Sequence, residues 1–134
     1  MTLSDAIDAE LPFLRAEATA RMTSTARVHR LTGDMVKVDG YEVPEWATVY
    51  AARPFRLVGG DTRKVTIGGV DFQEATARGD FPWDTSDLRD GDLVEVTAGE
   101  WAGSVFRVVE AVKGDQRTAR RVPVAEVSRP GEWG

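Results

Sequence analysis

The sequence has no cysteine, a single histidine and no long apolar segment. Without cysteine the chain has neither a disulfide framework nor a thiolate centre, so a redox role is excluded and residence in a reducing cytosol is expected. No apolar run approaches the roughly 20 residues of a membrane-spanning helix. The first residues, MTLSDAIDAELP, carry acids where a secretory signal needs bases, so no export signal is expected.

Positive charge is also in deficit. The 134 residues include 17 Lys and Arg against 22 Asp and Glu, which gives a net charge of −5. A surface with this balance is not expected to attract nucleic-acid phosphates as a whole. The length predicts a single domain, residues 1–134, that buries a core without disulfides or metals.

Residues 1–23 predict an N-terminal helix. Ser4 is a suitable cap, and apolar residues recur on one side of the helix to form a stripe that should pack against the rest of the protein. That stripe consists of Ile7, Leu11, Leu14, Ala18 and Met22. Because Pro12 lacks a donor and clashes with the preceding turn, the helix is expected to be well formed only from Pro12 onward.

Residues 25–127 predict a mainly β structure. Glycine and proline cluster between short valine-containing runs, which favours a small antiparallel β-barrel of about five to seven strands. Residues 32–34, Thr-Gly-Asp, predict a turn, and Asp39-Gly40 predicts a hairpin. Pro54 predicts an edge or a bulge in a strand over residues 46–57, and residues 70–78 predict one further strand. Residues 128–134 lack a pattern and are expected to form a loose C-terminal tail.

The centre of the predicted barrel is the hairpin over residues 81–112. Asp90-Gly91-Asp92 favours a turn, residues 93–97 alternate as a half-buried strand does, and residues 104–112 are apolar on both faces. From these patterns we expect a core that includes Val28, Val49, Val94, Val96, Phe106 and Val108.

Three features of the sequence could indicate a catalytic or ligand-binding site, but each is better explained by a structural role. The spacing of Asp87, Asp90 and Asp92 does not fit an EF-hand loop, so these acids are interpreted as turn residues. His29 lies in an alternating strand with no suitable partner in sequence, which favours a structural role. The paired glycines are not followed by the Lys-Ser/Thr of a phosphate loop. We therefore predict no enzyme activity, no metal and no cofactor.

Six segments, in their order and spacing, resemble a known family. They are AEATARM (16–22), ARVHRLTG (26–33), WATVYAARPFRL (46–57), FPWDTSDLRDGDLVEVT (81–97), AGSVFRVVEAV (102–112) and TARRVPVAEV (118–127). Over residues 11–127 the chain is similar to the head-to-tail stopper, or head-completion (head-closure), proteins in the neck of long-tailed actinobacterial phages. It departs from them at residues 50–53, which read Tyr-Ala-Ala-Arg where many relatives carry a glycine.

The resemblance implies a structural virion protein at the head–tail interface, made in the host cytoplasm. Such a protein forms a homo-oligomeric ring, with six subunits favoured over twelve, below the portal adaptor and above a tail terminator or tail tube protein. It retains packaged double-stranded DNA without sequence specificity and docks the tail, with no membrane partner. Two alternatives stay open: a tail terminator or minor tail ring protein, and a cellular small-barrel module that binds nucleic acid or peptide.

The loop that would face DNA and the channel is assigned to residues 56–69. Two glycine pairs provide hinges, basic residues contact DNA, and a β-prone segment pairs with adjacent subunits. These residues are Arg56, Gly59, Gly60, Arg63, Lys64, Val65, Ile67, Gly68 and Gly69. An ordinary hairpin outside the barrel is the alternative. Subunit contacts are expected from Trp46, Trp83, Trp101, Arg120 and Arg121.

Overall fold

The described part of the chain contains one N-terminal α-helix and eight strands. A computed structural model describes residues 3–59, 62–75, 77–109 and 119–133. The helix is α1 (Leu3–Ala20), and the strands are β1 (Ser24–Val38), β2 (Tyr41–Val58), β3 (Thr62–Ile67), β4 (Val70–Ala75), β5 (Ala77–Pro82), β6 (Leu93–Ala98), β7 (Val105–Val108) and β8 (Ala119–Val127). A short 3-10 helix, Gly131–Trp133, follows the last strand.

Six of the strands close into an antiparallel ring in the order β1-β2-β5-β8-β7-β6, with β6 paired to β1. Strands β3 and β4 form a separate two-stranded sheet. The predicted class, mainly β with a small antiparallel barrel and one N-terminal helix, is confirmed.

The core of the barrel is organised around three phenylalanines. The ring of Phe55 lies 5.1 Å from that of Phe81 and 6.4 Å from that of Phe106, between centroids. Gly79 makes this packing possible, because a Cβ there would lie 2.9 Å from the Phe55 ring. The predicted core residues Val28, Val94, Val96, Phe106 and Val108 are buried, whereas Val49 is only partly buried against the core.

The turn predicted at residues 32–34 is instead a bulge inside β1. Leu31 pairs with Trp46 and Met35 with Pro44, so three residues of β1 oppose the single Glu45 of β2. Gly33, with φ of 91°, accommodates the extra residues, since only glycine adopts this conformation without strain. The hairpin at Asp39-Gly40 is present as predicted.

Pro54 does not interrupt β2. It lies where β2 changes partner: residues up to Phe55 pair with β1, and residues from Arg56 pair with β5. The predicted single strand over residues 70–78 is divided, because β4 pairs with β3 while β5 joins the barrel.

The helix α1 also differs from the prediction. It is continuous through Pro12, so the looser turn expected before this proline is wrong. Leu11 and Ala18 are half-buried, but Leu14 is exposed, and the side chain of Ile7 lies outside the described part. The helix contacts β5 and β8, so its apolar stripe covers the barrel only in part.

The packing around Phe106 predicts a large effect of truncation. Replacing Phe106 by Ala should lower the free energy of unfolding by about 3–5 kcal/mol, because a buried aromatic ring leaves a cavity. Urea denaturation measures this loss. The same change at Phe13, whose side chain is 65% exposed, is the control and should alter stability by less than about 0.5 kcal/mol. Equal effects at both positions would contradict the assigned core.

Candidate assembly surfaces

A two-stranded arm, residues 31–46, extends beyond the barrel. Strand β1 pairs with β6 only from Thr25 to His29, so past this point β2 is the only described partner of β1. The arm ends at the Asp39-Gly40 turn, where both residues have positive φ. No other described strand joins it, and only its base, at Trp46, is in contact with the C-terminal residues among the contacts described.

One face of the arm is apolar. Val36 pairs with Val43 and Val38 with Tyr41, and cross-strand partners share a face. Val36 and Val38 are exposed, and Tyr41 is 76% exposed. The other face carries Leu31 and Met35, which are also exposed. The arm thus presents a row of large apolar side chains to solvent.

The base of the arm is fixed by an ion pair at the end of the barrel. Arg30 donates to both carboxylate oxygens of Asp92, at 2.9 and 2.8 Å, and the backbone NH of Arg89 donates to the same carboxylate at 2.9 Å. The Asp92 side chain is 2% exposed. Val28 pairs with Val94, and both side chains point to the core. Arg30 is two residues after Val28 and Asp92 is two residues before Val94, so both lie on the same side of the sheet. The hydrogen bonds from Arg30 to Asp92 raise the pKa of Arg30 against the effect of its burial, so the guanidinium stays charged.

A groove lies on the side of the barrel, between α1 and the segment that follows β5. It has a volume of about 700 Å³ and is lined by Pro12, Arg15, Ala16, Thr19, Ala20, Arg53, Pro54, Pro82, Trp83 and Asp84. The guanidinium of Arg15 stacks over the Trp83 ring at 3.6 Å from its centroid. Arg53 pairs with Asp84 at 2.9 Å. The groove therefore combines an aromatic wall, covered by a stacked guanidinium, with an ion pair.

The hairpin β3–β4 occupies the segment predicted to face the channel. Val65 pairs with Phe72 and Ile67 with Val70, so one strand edge is already paired within the chain. Gly68 and Gly69 both have positive φ and form the hairpin turn, so they are not a hinge at its base as predicted. Gly59 directly follows β2 and is exposed, as Arg56 is. The side chains of Arg63, Lys64, Val65 and Ile67, and all of Gly60, lie outside the described part.

The C-terminal segment, residues 128–133, is docked on the outside of β1, β2 and β6, whereas the sequence predicted a loose tail. The Trp133 ring lies 4.1 Å from that of His29 and 5.3 Å, edge-on, from that of Trp46. The indole NH of Trp46 donates to Glu132 at 2.9 Å. The C-terminal segment therefore covers His29 and Trp46, which the sequence does not predict to be covered.

Charged groups secure this docking around Glu95. His29 hydrogen-bonds Glu95 at 3.0 Å, and Arg129 of the C-terminal segment donates to its other oxygen. Burial of Glu95 opposes its ionisation, but the hydrogen bonds and charges of Arg129 and His29 outweigh this, and the pKa of Glu95 lies below its ordinary value. The hydrogen bond from Trp46 likewise lowers the pKa of Glu132.

The predicted subunit contacts have different positions. Trp83 and Trp101 are each 42% exposed, and Arg121 is exposed. Trp46 is half-buried under the C-terminal segment. Arg120 is buried, because it pairs with core residue Phe81 and lies on the same face of β8 as Val122 and Val124. Of the five residues, Trp83, Trp101 and Arg121 are therefore exposed.

The arm and the groove were not identified from the sequence as sites. From the sequence, the arm is predicted only as a hairpin at Asp39-Gly40. No local pattern indicates that the pairing of β1 with β6 stops at His29 and leaves the arm beyond it. The groove joins residues from α1, β2 and the segment after β5, which no sequence spacing connects. Among the described residues, no group of three or more His, Asp or Glu side chains could hold a metal ion. None of the described helices has the length and hydropathy of a membrane span.

Comparison with known proteins places the chain in a family. A family model described as "Family of unknown function (DUF6093)" matches residues 14–125, and the chain belongs to this family. No curated protein matches the chain significantly.

The fold is similar to that of a solved structure of another protein. The solution structure of protein SF1141 from Shigella flexneri 2a aligns with a TM-score of 0.55 and 14% identity, covering 80% of this chain and 94% of that one. At this identity the likeness concerns the fold alone.

Arg30 contacts two aspartates, Asp92 and Asp87, and we expect their replacement to have very different effects on the free energy of unfolding. Replacing Asp92 by Ala should lower the free energy of unfolding by about 1.5–3 kcal/mol, because Arg30 and the backbone NH of Arg89 both lose a buried, charged acceptor. Asp87, whose side chain is 51% exposed and 3.4 Å from Arg30, is the matched control and should cost less than about 1 kcal/mol when replaced by Ala. Chemical denaturation of both variants measures the difference, and similar losses would contradict this role of Asp92.

The lowered pKa of Glu95 predicts acid-dependent loss of stability. The stabilisation is complete above the ordinary glutamate pKa of about 4.3 and disappears as the pH falls through the lowered pKa in the folded state. The difference in unfolding free energy between the wild type and Glu95→Gln should therefore be largest near neutral pH and shrink below about pH 4. Urea denaturation across this range tests it. Glu100→Gln, in the exposed turn after β6, should show no such trend.

Proposed function

We propose that this protein is the head-to-tail stopper of a bacteriophage neck. In this function it forms a ring below the portal adaptor, retains packaged DNA and docks the tail. The observation that carries the proposal is the placement of the two hairpins that leave the barrel. The arm is at the N-terminal end of β2, and β3–β4 follows its C-terminal end.

This placement suits a subunit held between two neighbours. A closed barrel has no edge strands, so contacts made by strand edges must come from the hairpins. Hairpins at opposite ends of one strand can reach a partner on either side of a ring. In the proposed ring, one side faces the adaptor and the other faces the tail terminator or tail tube.

The β3–β4 hairpin is the proposed gate for DNA. It lies between two adjacent barrel strands, since Val58 at the end of β2 pairs with Arg78 in β5. The exposed Arg56 lies just before it, which gives this end a cation for a phosphate backbone. The net charge of −5 disfavours tight binding of DNA elsewhere, so the genome can slide through the channel.

The gate can be removed while the Val58–Arg78 pair of the barrel is kept. Because Val58 and Arg78 are cross-strand partners, an Asn-Gly turn joining β2 directly to β5 can replace residues 59–77. In particles of the phage that encodes the chain, this variant should assemble heads that package DNA but lose it before tails attach. DNA retained per head is measured by quantitative PCR after nuclease treatment.

The matched control keeps the hairpin and changes only its turn, by replacing Gly69 with Asn, a residue that tolerates positive φ. It should retain DNA as the wild type does. If the deletion variant also retains DNA, β3–β4 is not the gate. Imaging of labelled protein in intact particles tests the proposed position, and its absence from the neck would overturn the stopper function in favour of a tail ring or a cellular role.

A further inference from the structure

The C-terminal segment, residues 128–133, contacts the base of the arm as well as the barrel. The Trp133 ring packs 4.1 Å from that of His29 and 5.3 Å from that of Trp46, between centroids. Glu132 accepts a hydrogen bond from the Trp46 indole at 2.9 Å. His29 is the last residue of β1 that pairs with β6, and Trp46 is the residue of β2 at the base of the arm. The segment therefore lies across the junction between the arm and the barrel.

This junction is held from both faces of the β1–β2 pair. Leu31 pairs with Trp46, and both share a face with His29, which is two residues before Leu31. Arg30 lies between His29 and Leu31, so its side chain points to the opposite face, where it meets Asp92. An ion pair thus holds the junction on the core side, and the C-terminal segment holds it on the outer side.

Beyond the junction, the arm has little other support in the part of the chain that the structure describes. Its two strands pair only with each other there, and a two-stranded hairpin is marginally stable in water. Val38 and Tyr41 at its tip are exposed. The order of the arm therefore depends on how firmly its base is held.

The C-terminal segment can leave the barrel without breaking a strand pair. The last pair of β8 with β7 is Val127 with Val105, just before the segment begins. Arg129 donates to Glu95, and no residue of the 3-10 helix is buried as a whole. The indole nitrogen of Trp133 is buried with no hydrogen-bond partner among the described residues. A buried donor without an acceptor opposes docking, so the attached and released states of the segment are closer in free energy than its contacts alone suggest.

We propose that the C-terminal segment is a releasable lock on the arm. When docked, it fixes the junction and orders the arm. When released, it leaves the arm held by the Arg30–Asp92 pair and by its own strand pairing. Docking and arm order are then thermodynamically linked: a partner that binds the segment loosens the arm, and a partner that orders the arm favours docking. The lock concerns contacts within one chain and does not depend on the proposed stopper function.

Hydrogen exchange of the purified full-length protein tests the lock. In Trp133→Ala, the amides of residues 31–46 should exchange about tenfold faster than in the wild type, because the arm opens more easily. The amides of β6 and β7 in the barrel should keep their rates, which also shows that the variant is folded. Trp101→Ala is the matched control. Trp101 is 42% exposed in the turn after β6, and its replacement should leave exchange in the arm unchanged.

A reversible cross-link tests the lock in the opposite direction. The chain contains no cysteine, so Thr48→Cys and Gly131→Cys together introduce two unique thiols. Thr48 is exposed and pairs with His29, on which Trp133 packs, and Gly131 is exposed with open space around it. Joining the two thiols within one chain by a short disulfide-containing bis-maleimide should slow exchange in the arm at least about threefold, and reduction should restore the original rate. Capping both thiols with a mono-maleimide is the control and should not slow exchange.

Three results would overturn the lock. They are unchanged exchange of the arm in Trp133→Ala, an equal acceleration throughout the barrel, and exchange in the arm that the cross-link does not slow. Each of these leaves the neck position to be decided by imaging of particles. Absence of the protein from the neck would in turn overturn the stopper function and leave the lock standing.

Discussion

Pairing of β1 with β6 closes the barrel, and the ion pair of Arg30 with Asp92 completes this closure. Burying two charges costs desolvation energy that is recovered only when their hydrogen bonds are satisfied. Here Asp92 receives two bonds from Arg30 and one from the backbone of Arg89. The same arginine also donates to the carbonyl of Asp87 at 2.8 Å, which ties the segment before β6 to β1.

This pair also determines where the barrel ends and the arm begins. Up to His29, β1 has a strand on each side, and beyond Arg30 only β2 remains beside it. The β1–β2 pair therefore has one part inside the barrel and a second part, the arm, where each of the two strands has only the other as a described partner.

The sequence predicted those parts of the fold that local patterns encode. Alternation along β6 placed Val94 and Val96 inside, and both are buried, because a strand with one buried face repeats every two residues. The Asp90-Gly91-Asp92 turn was also recognisable, since Gly91 has φ of 87°. The pattern does not predict that the Asp92 side chain is buried and pairs with Arg30.

The errors have a common physical origin in contacts between distant residues. The sequence predicts a turn at Gly33 because glycine's preference for positive φ is the same in a turn and in a bulge, and only the register against β2 distinguishes them. The sequence predicts a loose tail over residues 128–134 because no local pattern shows that Trp133 contacts His29 and Trp46, which lie about a hundred residues earlier in the chain. The groove was not anticipated for the same reason.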